Sequence, residues 1–168
     1  MTQRQLKLEL SAGETLPTSL SWLIHDGYVC LTSWNEDDST TMLSIWGPGE
    51  LVIPSIIKDR PLYLYCLSPV EVEEQAANAE QQQAALHQQV QQLVTLLQLT
   101  RIRGAEERLF KLLLWLGKRF GRVNSQGVSL SFSAMNLTHR NLAELTGMTR
   151  VTVTKALIRF RQEDRKST

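Results

Sequence analysis

Cysteine is scarce: Cys30 and Cys66 are the only two in 168 residues. Two thiols cannot build a disulfide framework, a zinc knuckle or an all-cysteine iron–sulfur site, so both read as small, half-buried hydrophobes. Long apolar runs are missing too. Nothing approaches the roughly 20 apolar residues of a membrane span. The first turn, Met1 to Glu9, is too polar for a secretory signal, which makes the cytoplasm the expected compartment. The chain also lacks a glycine-rich phosphate loop, a nucleophile elbow, a paired-histidine spacing and a carboxylate pair with an evident pocket. These absences argue against an enzyme. Haem would need an axial His or Cys, and His25, His87 and His139 fall in three different predicted elements. No cofactor is expected.

What is present is a globular mixture, 42% apolar and 21% charged, long enough for one ordinary domain or two small ones. The net charge of +1 hides a division. Residues 1–100 hold 4 Lys+Arg against 12 Asp+Glu, a balance of −8, whereas residues 101–168 hold 14 against 5, a balance of +9. Such a split predicts two modules with different partners, and the basic one suits a polyanion.

Up to about Glu71 the pattern is short and β-like. Leu6, Leu8 and Leu10 alternate with Lys7 and Glu9, the period of a half-buried strand. Trp22–Leu23–Ile24 and Tyr28–Val29–Cys30–Leu31 flank His25–Asp26–Gly27, which predicts a tight hairpin at the Asp-Gly pair. Further apolar runs at Met42–Trp46 and Leu62–Leu67, with Gly47–Pro48–Gly49 between them, predict a small antiparallel barrel or sandwich.

From about Val72 the pattern changes. Residues 73–100 contain neither Gly nor Pro and read as one long helix. Val72, Ala76, Ala79, Leu86, Val90, Leu93 and Leu97 are spaced 4, 3, 7, 4, 3 and 4, a heptad seam that only Gln83 interrupts. That seam could pack on the β module or on a copy of itself. The copy is preferred, with Leu86, Val90, Leu93 and Leu97 as the interface and the first half of the helix also touching the β module. The seven glutamines from Gln81 to Gln92 read as a solvated face. Gly104 ends the pattern. A second helix is predicted from Ala105 to Phe120, capped by Gly121, followed by a short strand over Val128–Phe132.

Thr138 to Phe160 carries the function. Thr138 can cap a helix over His139 to Thr146, Gly147 ends it, and Thr149 can cap another bearing Val153, Ala156, Leu157 and Phe160. Two short helices joined through a glycine turn, with small Ala143 at the crossing, are a helix-turn-helix. Arg150, Val151, Thr152, Thr154 and Lys155 then lie at the end that enters a major groove.

On these residues the chain resembles the CRP/FNR family of bacterial transcription regulators, over nearly its whole length. Leu137–Gly147 and Met148–Lys155 match that family's helix-turn-helix, and Thr149 to Lys155 is most similar to its nitrogen-control branch. Gly47–Pro48–Gly49–Glu50–Leu51 is similar to a turn of the family's β-roll. The resemblance implies an α+β fold: a small antiparallel β-roll over 1–71, a dimerisation helix and hinge over 72–103, and a helix-turn-helix DNA-binding domain over 104–168. It implies that Arg150, Val151 and Lys155 face base edges, and that Thr138, His139, Thr149 and Thr152 face phosphates, with Arg140 adding charge. The family's roll is longer than the roughly 70 residues available before the helix, and the family adds a β-hairpin wing where this chain stops at Thr168.

The nucleotide-binding members of the family need an Arg and a small hydroxyl residue after the Gly-Glu turn. This chain has Pro54, Ser55 and Lys58–Asp59–Arg60–Pro61 instead. Arg60 is the one candidate effector contact, for an anion such as a 2-oxo acid. A buried anion needs more than one basic partner, and the long helix offers only Glu73, Glu74 and Glu80, so a solvated loop role is preferred. The expected partners are double-stranded DNA and a second copy of the chain, with RNA polymerase a further candidate and no membrane. The alternatives are an interaction module of the same ancestry that has lost DNA, and a small-molecule sensor that acts only by occluding related regulators.

Overall fold

The computed structural model describes residues 5–54 and 62–166, with side chains through Glu163. Arg60, with its neighbours from 55 to 61, lies outside the described residues. The chain divides into two compact units, Met1–Val94 with Ala134–Asn136, and Thr95–Ser133 with Leu137–Thr168.

The first unit is a pair of four-stranded antiparallel sheets. The strands are β1 (Lys7–Leu10), β2 (Thr15–Leu16), β3 (Trp22–Asp26), β4 (Val29–Trp34), β5 (Thr40–Trp46), β6 (Leu51–Val52), β7 (Leu62–Cys66) and β8 (Val70–Glu74). One sheet runs β1-β8-β3-β6 and the other β2-β7-β4-β5. Trp22, Ile24, Val29, Leu31, Leu64 and Val72 form the core between them. Each fully buried apolar side chain contributes roughly 1.5–3 kcal/mol. Trp22 brings its one polar atom with it, and the indole N–H donates to the Pro17 carbonyl at 2.9 Å.

Two readings of the sequence are corrected here. Asp26–Gly27 makes no hairpin: β3 pairs with β8 and β6, while β4 pairs with β5 and β7. The turn carries the chain from one sheet to the other. Gly27 has φ +84°, and a Cβ there would stand 2.1 Å from the Pro69 carbonyl oxygen, so both the conformation and the close approach require glycine. The long helix also begins later than Val72. Val70, Val72 and Glu74 belong to β8, where Val72 is buried opposite Leu8 and Ile24, and the helix α1 runs Ala79–Arg101. Val72, Ala76 and Ala79 satisfy the heptad spacing by coincidence, because Val70–Glu74 satisfies a period of two equally well.

Within the first unit, α1 turns Gln88, Gln89 and Gln92 toward the strands. β5 ends its sheet, and the Ile45 N–H donates to the Gln92 side-chain oxygen at 3.0 Å. Gln89 donates to the Ser44 hydroxyl, and Gln88 donates to Glu50 at 2.7 Å. Gln89 and Gln92 are buried, which corrects the solvated reading of this face. Carboxamides suit the position because an edge strand presents unpaired N–H and C=O groups that leucine cannot satisfy.

The second unit contains the end of α1, then α2 (Ala105–Phe120), a β9–β10 hairpin (Arg122–Asn124 and Gly127–Ser129), α4 (His139–Thr146) and α5 (Arg150–Lys166); the short α3 (Phe132–Met135) before α4 is divided between the two units. Leu109, Leu112 and Leu116 of α2 are fully buried, as are Leu142 of α4 and Val153 of α5. The expected strand over Val128–Phe132 is in fact β10, and Phe132 opens α3. Gly121 is extended, with φ −74°, and serves a different purpose from a left-handed cap. A Cβ on it would lie 2.6 Å from Val128 Cγ1 and 2.9 Å from the Ser129 carbonyl, so it lets β10 approach the end of α2. Among the described residues no helix is long and apolar enough to cross a membrane.

Candidate nucleic-acid interface

The interface begins with two local devices that set α4. Thr138 Oγ1 accepts the Asn141 N–H at 3.2 Å, and the Asn141 side-chain oxygen accepts the Thr138 N–H at 2.9 Å, a reciprocal capping box. At the other end Gly147 is left-handed, with φ +66°, and the next N–H, of Met148, donates to the Ala143 carbonyl at 3.0 Å. The chain then turns sharply into α5, where Thr149 Oγ1 accepts the Thr152 N–H at 3.2 Å. Leu142, Ala143, Leu145, Val153, Ala156 and Leu157 are buried in this crossing.

Burying that stripe leaves the opposite side of α5 open. Arg150, Val151 and Lys155, the expected base-edge residues, are all exposed at its N-terminal end, and Val151 is 62% exposed. An apolar side chain this open has no packing role in the chain. Thr138, His139, Arg140 and Arg150 line one cleft. The structure therefore brings three of the expected phosphate residues beside one expected base residue, with Thr149 and Thr152 at the start of α5.

The hydrogen bonds assign different duties within that group. The Thr138 hydroxyl is taken by its cap, donating to Asn141 Oδ1 at 2.8 Å. Thr149 and Thr152 share a hydroxyl–hydroxyl contact of 2.8 Å. Arg140 pairs with Glu144 at 3.2 Å, one turn along α4. His139 Nδ1 meets the Thr154 hydroxyl at 2.8 Å. Sequence reasoning missed two supporting residues. Asn141 completes the capping box, a role its position three residues after Thr138 could have signalled. Arg108 of α2 donates from Nε to the Ile102 carbonyl at 2.9 Å and from Nη1 to the Thr146 carbonyl at 3.1 Å, for which the sequence carries no signal.

Along α1 the seam residues Leu86, Val90 and Leu97 are 45%, 49% and 59% exposed, and Val94 is 48% exposed beside them. Leu93 is half-buried.

Comparison with known proteins places this geometry. The Crp-like helix-turn-helix domain matches residues 107–165. Regulatory protein CysR of Synechococcus elongatus is 38% identical over 144 residues, covering 86% of this chain and 70% of CysR. The chain belongs to the CRP/FNR family of transcription regulators. Solved structures show the same fold for this family member. FixK2 from Bradyrhizobium japonicum superposes with a TM-score of 0.76 at 14% identity, covering 96% of this chain and 87% of FixK2. TTHB099, a CRP-family transcriptional regulator from Thermus thermophilus, gives 0.72 at 16% identity, covering 94% and 85%. The α+β class expected from the sequence is the one observed.

Proposed function

We propose that this CRP/FNR regulator binds DNA sequence-specifically as a homodimer on a two-fold symmetric operator. The observation that carries the reading is the exposed first turn of α5, where Arg150 and Val151 stand clear while Val153 and Ala156 are buried behind them. Arginine there suits a bidentate contact to guanine, and Val151 offers only a methyl surface, most naturally to thymine. Lys155 is the third base-edge residue. Arg140, His139, Thr138, Thr149 and Thr152 hold the backbone, positioning the helix without reading sequence.

The exposed seam of α1 supports the dimer. Leu86, Val90, Leu93 and Leu97 recur at coiled-coil spacing, and Leu86, Val90 and Leu97 stand exposed beside Val94, so a second copy of α1 is the partner that covers them. A two-fold dimer presents two recognition helices, which calls for half-sites about one turn, roughly 34 Å, apart. RNA polymerase as a partner and the cytoplasm as the compartment follow from a role in transcription.

The test is Arg150→Ala measured against duplexes that differ at single positions of each half-site. A guanine contact predicts a loss on the order of 1–3 kcal/mol and relaxed preference at one base pair per half-site. Equal weakening on every sequence would make Arg150 a phosphate contact.

A further inference from the structure

We propose that a trough within the second unit, between α2, β10 and the end of α5, docks a partner protein through a segment with apolar side chains and, at one end, Lys or Arg. The inference stands apart from the DNA-binding reading, because none of the residues assigned to DNA lines the trough.

The trough encloses about 740 Å³. Its long wall is one side of α2, where Phe110, Leu113, Leu114 and Gly117 follow Glu106 and Glu107 at helical spacing. At 1.5 Å per residue, the stretch from Glu106 to Gly117 is roughly 16 Å long. Val128 and Leu130, in β10 and just after it, supply further apolar lining. Val128 stands at the Gly117 end, its Cγ1 3.3 Å from where a Cβ on that glycine would lie. At the other end Phe160 of α5 meets Phe110 edge to face, with ring centroids 6.4 Å apart. Arg159 pairs with Glu106 there, and Glu163 follows one turn further along α5. All three carboxylates therefore gather where α2 begins, and the rest of the trough is apolar.

The unit's own fold leaves this surface open. Phe110, Leu114 and Val128 are 56%, 44% and 48% exposed. Open apolar area beside charge marks a protein contact. A small ligand is held by a site that buries most of its surface, which walls this exposed do not provide. A segment carried on a protein covers the walls as well.

Charge selects the kind of segment. Residues 101–168 carry a balance of +9, yet among the described residues the charged side chains lining the trough are the three carboxylates alone. Glu106 and Glu107 suit the first turn of α2, but Glu163 lies in the last turn of α5, where a carboxylate opposes the helix dipole. Its own helix does not account for its sign. Glu106 pairs with Arg159, and Glu107 with Lys111 at 2.8 Å, in exposed pairs that cost little to exchange. Nucleic acid is repelled from this end, whereas a Lys or Arg is drawn to it. The length suits about three turns of helix or five residues of extended chain.

The experiment pans a random peptide library displayed on phage against the full chain, without DNA. Enriched peptides are expected to join large apolar residues to Lys or Arg toward one end. A synthetic copy of the leading peptide should bind about tenfold more weakly to Leu114→Glu, which sets a carboxylate in the apolar stretch. It should also weaken against Glu106→Gln with Glu163→Gln, and as salt rises. The glutamine variant keeps side-chain shape and decides the matter even if Leu114→Glu does not fold. No enrichment, enrichment of peptides lacking Lys and Arg, or equal binding to the native chain and the glutamine variant overturns the proposal.

Discussion

Arg108 closes the C-terminal end of α4 from outside that helix, donating from Nη1 to the Thr146 carbonyl at 3.1 Å. The same guanidinium donates from Nε and Nη2 to the Ile102 carbonyl at 2.9 and 2.5 Å. One side chain thus satisfies carbonyls just past the end of α1 and at the end of α4, where a positive charge also suits the helix dipole. Arg108→Met keeps the stem and removes all three bonds. It is expected to destabilise the chain by about 1.5–3 kcal/mol, as for a hydrogen bond to a charged group, in urea unfolding. A midpoint unchanged from the native chain would show that water replaces the guanidinium at no cost.

The Gly27 turn predicts a contrast between two glycines with the same φ, +84°. Gly49→Ala meets open space and should cost only the left-handed penalty of about 1–2 kcal/mol. Gly27→Ala adds overlap with the Pro69 carbonyl oxygen and Val70, and should cost several kcal/mol or abolish soluble expression. Equal melting temperatures for the two variants would contradict the close approach.

Glu73 lies 2.8 Å from His25 and 3.4 Å from Lys7. The His25 hydrogen bond is the largest influence on its carboxyl; burial opposes it, and the hydrogen bond and charge of Lys7 add to it, leaving the carboxyl below the usual carboxylate range. A depressed carboxyl contributes stability that is present above its ordinary value of 4.5 and lost as pH falls through the folded value. Glu73→Gln should therefore flatten the acid side of a curve of melting temperature against pH. Parallel curves for variant and native chain would remove Glu73 from the account.

Local signals are legible in the sequence, and distant ones are not. The bounds of α4 follow from Thr138 and Gly147, because a cap and a left-handed turn are set by adjacent residues. β8 escapes a local reading because its partners, Leu8 and Ile24, lie far away in the chain, and only pairing tells Val72 in a strand from Val72 in a heptad. Asp26–Gly27 reads locally as a hairpin, yet the reason for its glycine is Pro69, in a different turn. The glutamines of α1 mislead for a similar reason. Their role depends on β5 standing at a sheet edge, which composition does not reveal. On α5 the residues Arg150, Val151 and Lys155 are legible as an exposed cluster, the proposed DNA face, whereas Arg108 acts across three helices and leaves no pattern.

Cys66 is buried opposite Val29, and burial, aided by the charge of Glu14, pushes its thiol up to about 11. Cys30 is buried as well. Neither thiol should react with a thiolate-selective reagent at pH 8 in the folded chain, and both should react on unfolding. Rapid labelling of the folded chain would show that the first unit opens locally.

The seam of α1 predicts that Leu93→Glu with Leu97→Glu yields monomers in analytical ultracentrifugation. Each lost leucine acts twice in a symmetric dimer, at roughly 1.5–3 kcal/mol per buried side chain. A dimer that survives both charges would have to be held elsewhere.

The central claim is sequence-specific recognition by two copies of α5, and selection from a random pool of duplex DNA with the purified chain tests it most directly. The expected product is a two-fold symmetric sequence with half-sites about one turn apart, bound with a logarithmic salt slope of about −4 to −5, as for roughly two or three charged contacts per subunit. A pool that stays random after repeated rounds at low salt would contradict the claim and favour a protein-interaction role.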